Sequence, residues 1–151
     1  MRVFIGIDPG VGGGIAVLDE TGGILSMTKM PETDCDVLDA IRQGAIHGTP
    51  AATIEFVRSS PQMGVRSAWT FGVGYGRLRM ALIASEVPFE EVTPRKWQTA
   101  MRCLTGGDKN VSKARAQELF PGTKVTHNIA DALLIAEYGR RHALGIYAKE
   151  W

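Results

Sequence analysis

The stretch Ile5-Gly-Ile-Asp-Pro-Gly-Val-Gly-Gly-Gly-Ile-Ala-Val-Leu-Asp19 sets one carboxylate, Asp8, at the end of an apolar strand. A glycine turn and a second apolar strand follow. Two aliphatic runs across a glycine turn read as a β-hairpin. A charge at the end of an apolar strand is costly unless it is paired or binds a metal. The glycines Gly10, Gly12, Gly13 and Gly14 either leave room beside Asp8 for a bulky phosphate backbone or give the hairpin its positive φ angles. A phosphate-gripping glycine loop fits less well, because a strand rather than a helix N-terminus comes next.

Outward from the hairpin, Ile24 to Lys29 reads as a third strand after Thr21-Gly-Gly23. Val37, Ile41 and Ala45 fall at helical spacing in Asp36 to Ile46, which stops at Gly48. Ala52 to Val57 is a short β-branched strand, Met63 to Ser85 a long helix with Trp69, Phe71, Leu78, Leu82 and Ile83, and Phe89 to Val92 a fifth strand. Three helices close the chain: Pro94 to Met101, Val111 to Phe120 ended by Pro121-Gly122, and Ile129 to Leu144. Three strands joined by tight turns make an antiparallel meander. The later two need helical crossovers and so lie parallel to the first. The expectation is an α/β fold: a mixed five-stranded sheet, meander plus two parallel strands, flanked by helices, in a single domain over 1–151.

Composition is that of a globular chain, 44% hydrophobic and 22% charged. No apolar run approaches the roughly 20 residues of a membrane helix, and the opening residues read as a strand rather than a signal peptide, so a cytoplasmic protein is expected. Cys35 and Cys103 have no metal-site spacing and read as reduced thiols. The net charge is +1, but its distribution is uneven. Phe56 to Ser85 carries Arg58, Arg66, Arg77 and Arg79 with no acid. Pro94 to Arg115 carries Arg95, Lys96, Arg102, Lys109, Lys113 and Arg115 against the single Asp108. Such runs form either a basic face for a polyanion or the solvated faces of ordinary helices.

Two further carboxylates sit where apolar residues belong. Glu55 lies inside Ala52-Thr-Ile-Glu-Phe-Val57, and Asp131 inside Asn128-Ile-Ala-Asp-Ala-Leu-Leu-Ile-Ala136. Each of the three acids has an ordinary alternative. Asp8-Pro-Gly10 makes a plain turn, Glu55 pairs with an arginine, and Asn128 caps a helix with Asp131 three residues on. Together they suggest more. If the first strand is central and the Ala52 strand is its parallel neighbour, Asp8 and Glu55 share a face and a sheet edge. A helix starting near that edge then brings Asp131 to them. Three crowded carboxylates bind protons or divalent cations. Hard oxygen ligands suit Mg²⁺ or Mn²⁺, and two such ions about 4 Å apart clamp a phosphodiester.

These residues resemble the RuvC-type Holliday junction resolvases of the RNase H-like superfamily, and more closely the small phage-type branch. The matching motifs are Gly6-Ile-Asp-Pro-Gly10, Thr53-Ile-Glu55, Gly72-Val-Gly-Tyr-Gly76, Val92-Thr-Pro-Arg-Lys-Trp97 and Ala130-Asp-Ala-Leu-Leu-Ile-Ala-Glu-Tyr-Gly-Arg-Arg141. The resemblance implies a homodimeric, metal-dependent endonuclease, bacterial or phage-encoded, that nicks a four-way DNA junction symmetrically. Asp8, Glu55 and Asp131 match the family's acidic positions. The family's fourth ligand falls here on His127 or Asn128, neither a carboxylate. An imidazole binds Mn²⁺ well and Mg²⁺ poorly, so Mn²⁺ is expected to support at least as much activity as Mg²⁺.

By the same resemblance Lys113 is expected to stabilise transition-state charge, with Lys96 second, and the two basic runs offer Arg58, Arg66, Arg77, Lys96, Lys109, Lys113 and Arg115 as DNA contacts. Phe56 is expected to turn into the core beside Ile54, and Trp97 to be core. The dimer seam is expected on the long helix, where Gly72 and Gly76 stand one turn apart. The alternatives are a nuclease of the same fold acting on other branched DNA or an RNA–DNA hybrid, and a catalytically silent nucleic-acid-binding relative.

Overall fold

The computed structural model describes residues 1–146; residues 147–151, the end of the expected domain, lie outside the described residues. The strands are β1 (Arg2–Asp8), β2 (Gly14–Asp19), β3 (Ile24–Lys29), β4 (Thr49–Glu55) and β5 (Phe89–Val92). The helices are α1 (Asp34–Ala45), α2 (Val65–Ala84), α3 (Pro94–Ala100), α4 (Lys109–Leu119) and α5 (His127–Leu144). They form one five-stranded sheet in the order β3-β2-β1-β4-β5. The first three strands pair antiparallel, and β4 and β5 join in parallel, as the connections dictate.

Local chemistry moves several boundaries outward from the sequence expectation. Thr33 accepts from the Asp36 backbone N–H and opens α1 two residues early. Asp108 does the same for α4 through the Asn110 N–H. β4 starts at Thr49 because its pairing with β1 begins there, although Pro50 lies within it. Thr49 donates its N–H towards Met1 and Ala52 towards Pro88. By alternation the missing N–H of Pro50 faces the β5 side, where pairing has not yet begun.

The sheet separates two cores. Val3, Ile5, Ile7 and Ile54 pack with Val37, Ile41, Leu78 and Leu82 on the side of α1 and α2. Trp97, Met101, Ala116 and the buried stretch of α5 form the other core. Side chains alternate along a strand, so Gly6 and Thr53 face α5. A Cβ on Gly6 would run into the backbone of Ala132 and Ala136, and one on Gly139 into the Thr53 hydroxyl. The helix therefore lies almost on the sheet and buries Leu133, Leu134 and Ile135 completely, at roughly 1.5–3 kcal/mol each. The buried acid on this helix, Glu137, is satisfied by Arg140 at 2.7 Å and by Arg141 at 2.5 Å.

The glycines of the first turn have divided roles. Gly10 has φ +103° and needs its conformational freedom. Gly13 packs on the Asp8 carbonyl and Gly14 on the Asn128 carbonyl of α5, so these two admit the protein's own backbone and not a ligand's. Gly12 alone of the four has open space where a side chain would stand.

Candidate functional site

Asp8 ends β1 and Glu55 ends β4. The register sets Ile7 beside Ile54, so the next step along both strands brings the two carboxylates side by side. Both have the parity of Gly6 and Thr53 and face α5. The close seat of α5 on Gly6 then carries Asp131, one residue before Ala132, to the same end of the sheet. The three acids act on one another. Burial, then the charge of Asp131, then that of Glu55 push the Asp8 carboxyl up to about 8, against a smaller opposing pull from Lys109. Burial raises Glu55, opposed by the Trp97 hydrogen bond, and Asp131 raises it further. Burial likewise raises Asp131, while the Ser112 hydroxyl, Lys109 and His127 lower it.

Asp131 Oδ1 is buried with no hydrogen-bond partner. An orphaned carboxylate oxygen beside two other acids is an unmet demand for positive charge. That demand and the mutual repulsion fit a divalent cation. Even so, no three His, Cys, Asp or Glu side chains among the described residues are arranged to hold one ion as they stand. The carboxylates form an electrostatic cluster and not a finished coordination sphere. Trp97 donates its indole N–H to Glu55 Oε2 at 2.6 Å.

His127 opens α5 and is exposed, with its charge acting on Asp131. Asn128 does not cap the helix; Thr126 stands at the cap position. Asn128 lies in the first turn and donates its amide to the Gly12 carbonyl at 3.0 Å, tying α5 to the glycine turn. The lysine whose charge acts on both Asp8 and Asp131 is Lys109, at the start of α4. Lys113 lies one turn further on and is half-buried, and Lys96 is exposed on α3. Arg58 is exposed and stacks over Phe56 at 5.0 Å. Phe56 turns towards α2 but is only half-buried, with its ring edge on Tyr75, because β4 has already ended.

Arg66 is exposed and lines a groove of about 670 Å³ between α2 and Gly10. Arg77 is bound to the Glu32 carbonyl and to Asp34, and Arg115 to the Met101 carbonyl and Glu118. These two arginines are thus paired within the chain.

Trp97 and Ser112 are site residues that sequence reading did not single out. The available signal for Trp97 was its polar edge, since a buried indole must place its N–H on an acceptor. Ser112 had a weaker one, as a hydroxyl on the buried side of an otherwise polar helix.

No protein-family model matches the chain, and no curated protein sequence matches it. The folded backbone does find similar structures. The fold is of the RuvC and RNase H-like class, as the sheet order and flanking helices indicated. Two similar solved structures are of RuvC from Thermus thermophilus. The one in complex with a Holliday junction substrate superposes with TM-score 0.73 at 18% identity, over 96% of this chain and 97% of that one. A second RuvC structure from the same organism gives TM-score 0.69 at 20% identity, over 95% of this chain and 96% of that one. Among the described residues no helix is long and apolar enough to cross a membrane.

Proposed function

We propose that this chain is a Holliday junction resolvase of the phage-type branch, a single nuclease domain acting in the cytoplasm of a bacterial cell. It would introduce paired nicks in four-way DNA by metal-dependent phosphodiester hydrolysis. The observation that carries the reading is the meeting of Asp8, Glu55 and Asp131 from three separate elements at one sheet end, with Asp131 Oδ1 buried and unpartnered. The similarity in fold to a RuvC bound to a junction supports the choice of substrate.

Asp8, Glu55 and Asp131 would hold one or two Mg²⁺ or Mn²⁺ ions, with His127 the better fourth ligand because the Asn128 amide is spent on Gly12. Such ions, when bound, generate a nucleophilic hydroxide and stabilise the leaving oxygen. Lys109, already within electrostatic reach of Asp8 and Asp131, would join Lys113 and Lys96 in offsetting charge on the scissile phosphate. Arg58, Arg66, Lys96 and Lys113 supply phosphate contacts that set register without reading sequence.

The exposed apolar side of α2, with Trp69, Val73, Met80 and Ile83, would be the seam of a homodimer. Nothing stands above Gly72 and Gly76, so a second helix can come close there. A two-fold dimer presents one site to each of two opposed strands.

The test offers labelled four-way junction, linear duplex and RNA–DNA hybrid to the protein with Mg²⁺, Mn²⁺ or EDTA. Paired nicks on the junction are expected in either metal and none in EDTA. Asp8→Asn, Glu55→Gln and Asp131→Asn should each lower the rate on the order of 10³-fold. Preferred cutting of the hybrid would reassign the substrate. Junction binding without nicks in either metal would point to the silent relative.

A further inference from the structure

Trp97 lies on the short helix α3, which leaves β5 through Thr93 and Pro94. Its side chain is 0% exposed, yet it carries one polar atom. That atom finds Glu55 Oε2 at 2.6 Å, short for an N–H···O bond. β5 runs beside β4 with Val92 next to Glu55. The turn from β5 into α3 therefore returns the indole to the carboxylate at the strand end.

We infer that Trp97 is a positioning residue for the candidate centre: its indole N–H fixes the Glu55 carboxylate so that Oε1 alone is presented to a cation. This rests on the metal-site reading above. An ionised carboxylate has two oxygens and rotates about its last bond. A donor buried in the core and locked on one oxygen removes that rotation and biases Glu55 towards one-oxygen coordination. The indole is held by the packing of Met101, Ala116 and α5 around it, so the carboxylate inherits the rigidity of the core.

The test replaces Trp97 by 3-benzothienylalanine, which keeps the bicyclic shape and puts sulfur where the N–H was, alongside Trp97→Phe. Mn²⁺ binding is read by electron paramagnetic resonance and calorimetry, beside thermal unfolding. Expected is Mn²⁺ affinity weakened about tenfold or more in the benzothienyl protein, with kcat reduced, KM for the junction kept and cooperative thermal unfolding retained.

Wild-type Mn²⁺ affinity in that folded variant overturns the inference. In unmodified protein the Trp97 indole ¹⁵N–¹H resonance should shift on adding Mg²⁺ and stop shifting in Asp8→Asn; an indole resonance blind to Mg²⁺ also overturns it, whether or not the variants fold. Wild-type protein that binds no Mn²⁺ at millimolar concentration instead fails the metal-site reading itself and removes the basis for both.

Discussion

The two longest helices, α2 with 20 residues and α5 with 18, handle their apolar side chains in opposite ways. From Ile129 to Gly139, α5 is buried throughout except at Asp131. Glycines on the sheet and on the helix let the two backbones meet, and the buried acid Glu137 has its own arginines. By contrast α2 buries Leu78, Ala81 and Leu82 while leaving Val65 89% and Trp69 74% exposed. The contrast separates two tasks. α5 is finished within one copy of the chain and brings an acid to the site, whereas α2 presents a surface that one copy leaves uncovered.

The strongest way to break this contrast is to spoil the seat of α5. Gly6→Val puts carbon into the backbone of Ala132 and Ala136. The expected loss is about 4 kcal/mol or more, enough to leave little folded protein in a urea titration. A folded, cooperative Gly6→Val protein would show that α5 need not sit on the sheet.

A smaller effect, of opposite sign, belongs to the acid that α5 faces. Asp8 holds its proton up to about 8 in the folded chain against 3.8 in an ordinary carboxyl. The folded state thus binds the extra proton between those values, and stability from it is lost as pH rises from about 4 to about 8. Asp8→Asn, which cannot ionise, should stabilise the metal-free chain by about 1–3 kcal/mol at pH 9 and hardly at pH 4. Equal stabilisation at both pH values would mean Asp8 is not crowded by its neighbours. Cation affinity, which needs the ionised carboxylate, should fall as pH drops below about 8.

The smallest change in the folding of one copy is expected on α2. Trp69→Glu adds a charge to an exposed position and should alter unfolding free energy within about 0.5 kcal/mol. In light scattering, however, it should halve the molar mass of the proposed dimer. An unchanged mass would move the seam elsewhere.

Most of the fold was legible because strand parity is a rigid rule. An acid ending one apolar strand and another ending its parallel neighbour must share a face, and Asp8 and Glu55 do. β3 and β5 were readable to the residue because glycine or proline bounds them. Less legible was anything set by close approach. The sequence offers four glycines in one turn. Gly13 and Gly14 admit the chain's own backbone, a fact that depends on where β1 and α5 lie and not on the turn itself.

The partnership of Trp97 with Glu55 spans 42 positions and leaves no local periodicity to find. The commitment of Arg77 to Asp34 and of Arg115 to Glu118 was likewise hidden, since a run of basic residues looks the same whether its charges are free or bound.

The bond from Asn128 to the carbonyl of Gly12 links positions 116 residues apart. A ribosome making this protein releases the first strand early, and α5 emerges long afterwards. During that interval Asp8 has no Asp131 to meet. The cluster of Asp8, Glu55 and Asp131 is therefore absent from the nascent chain and is completed only when α5 docks.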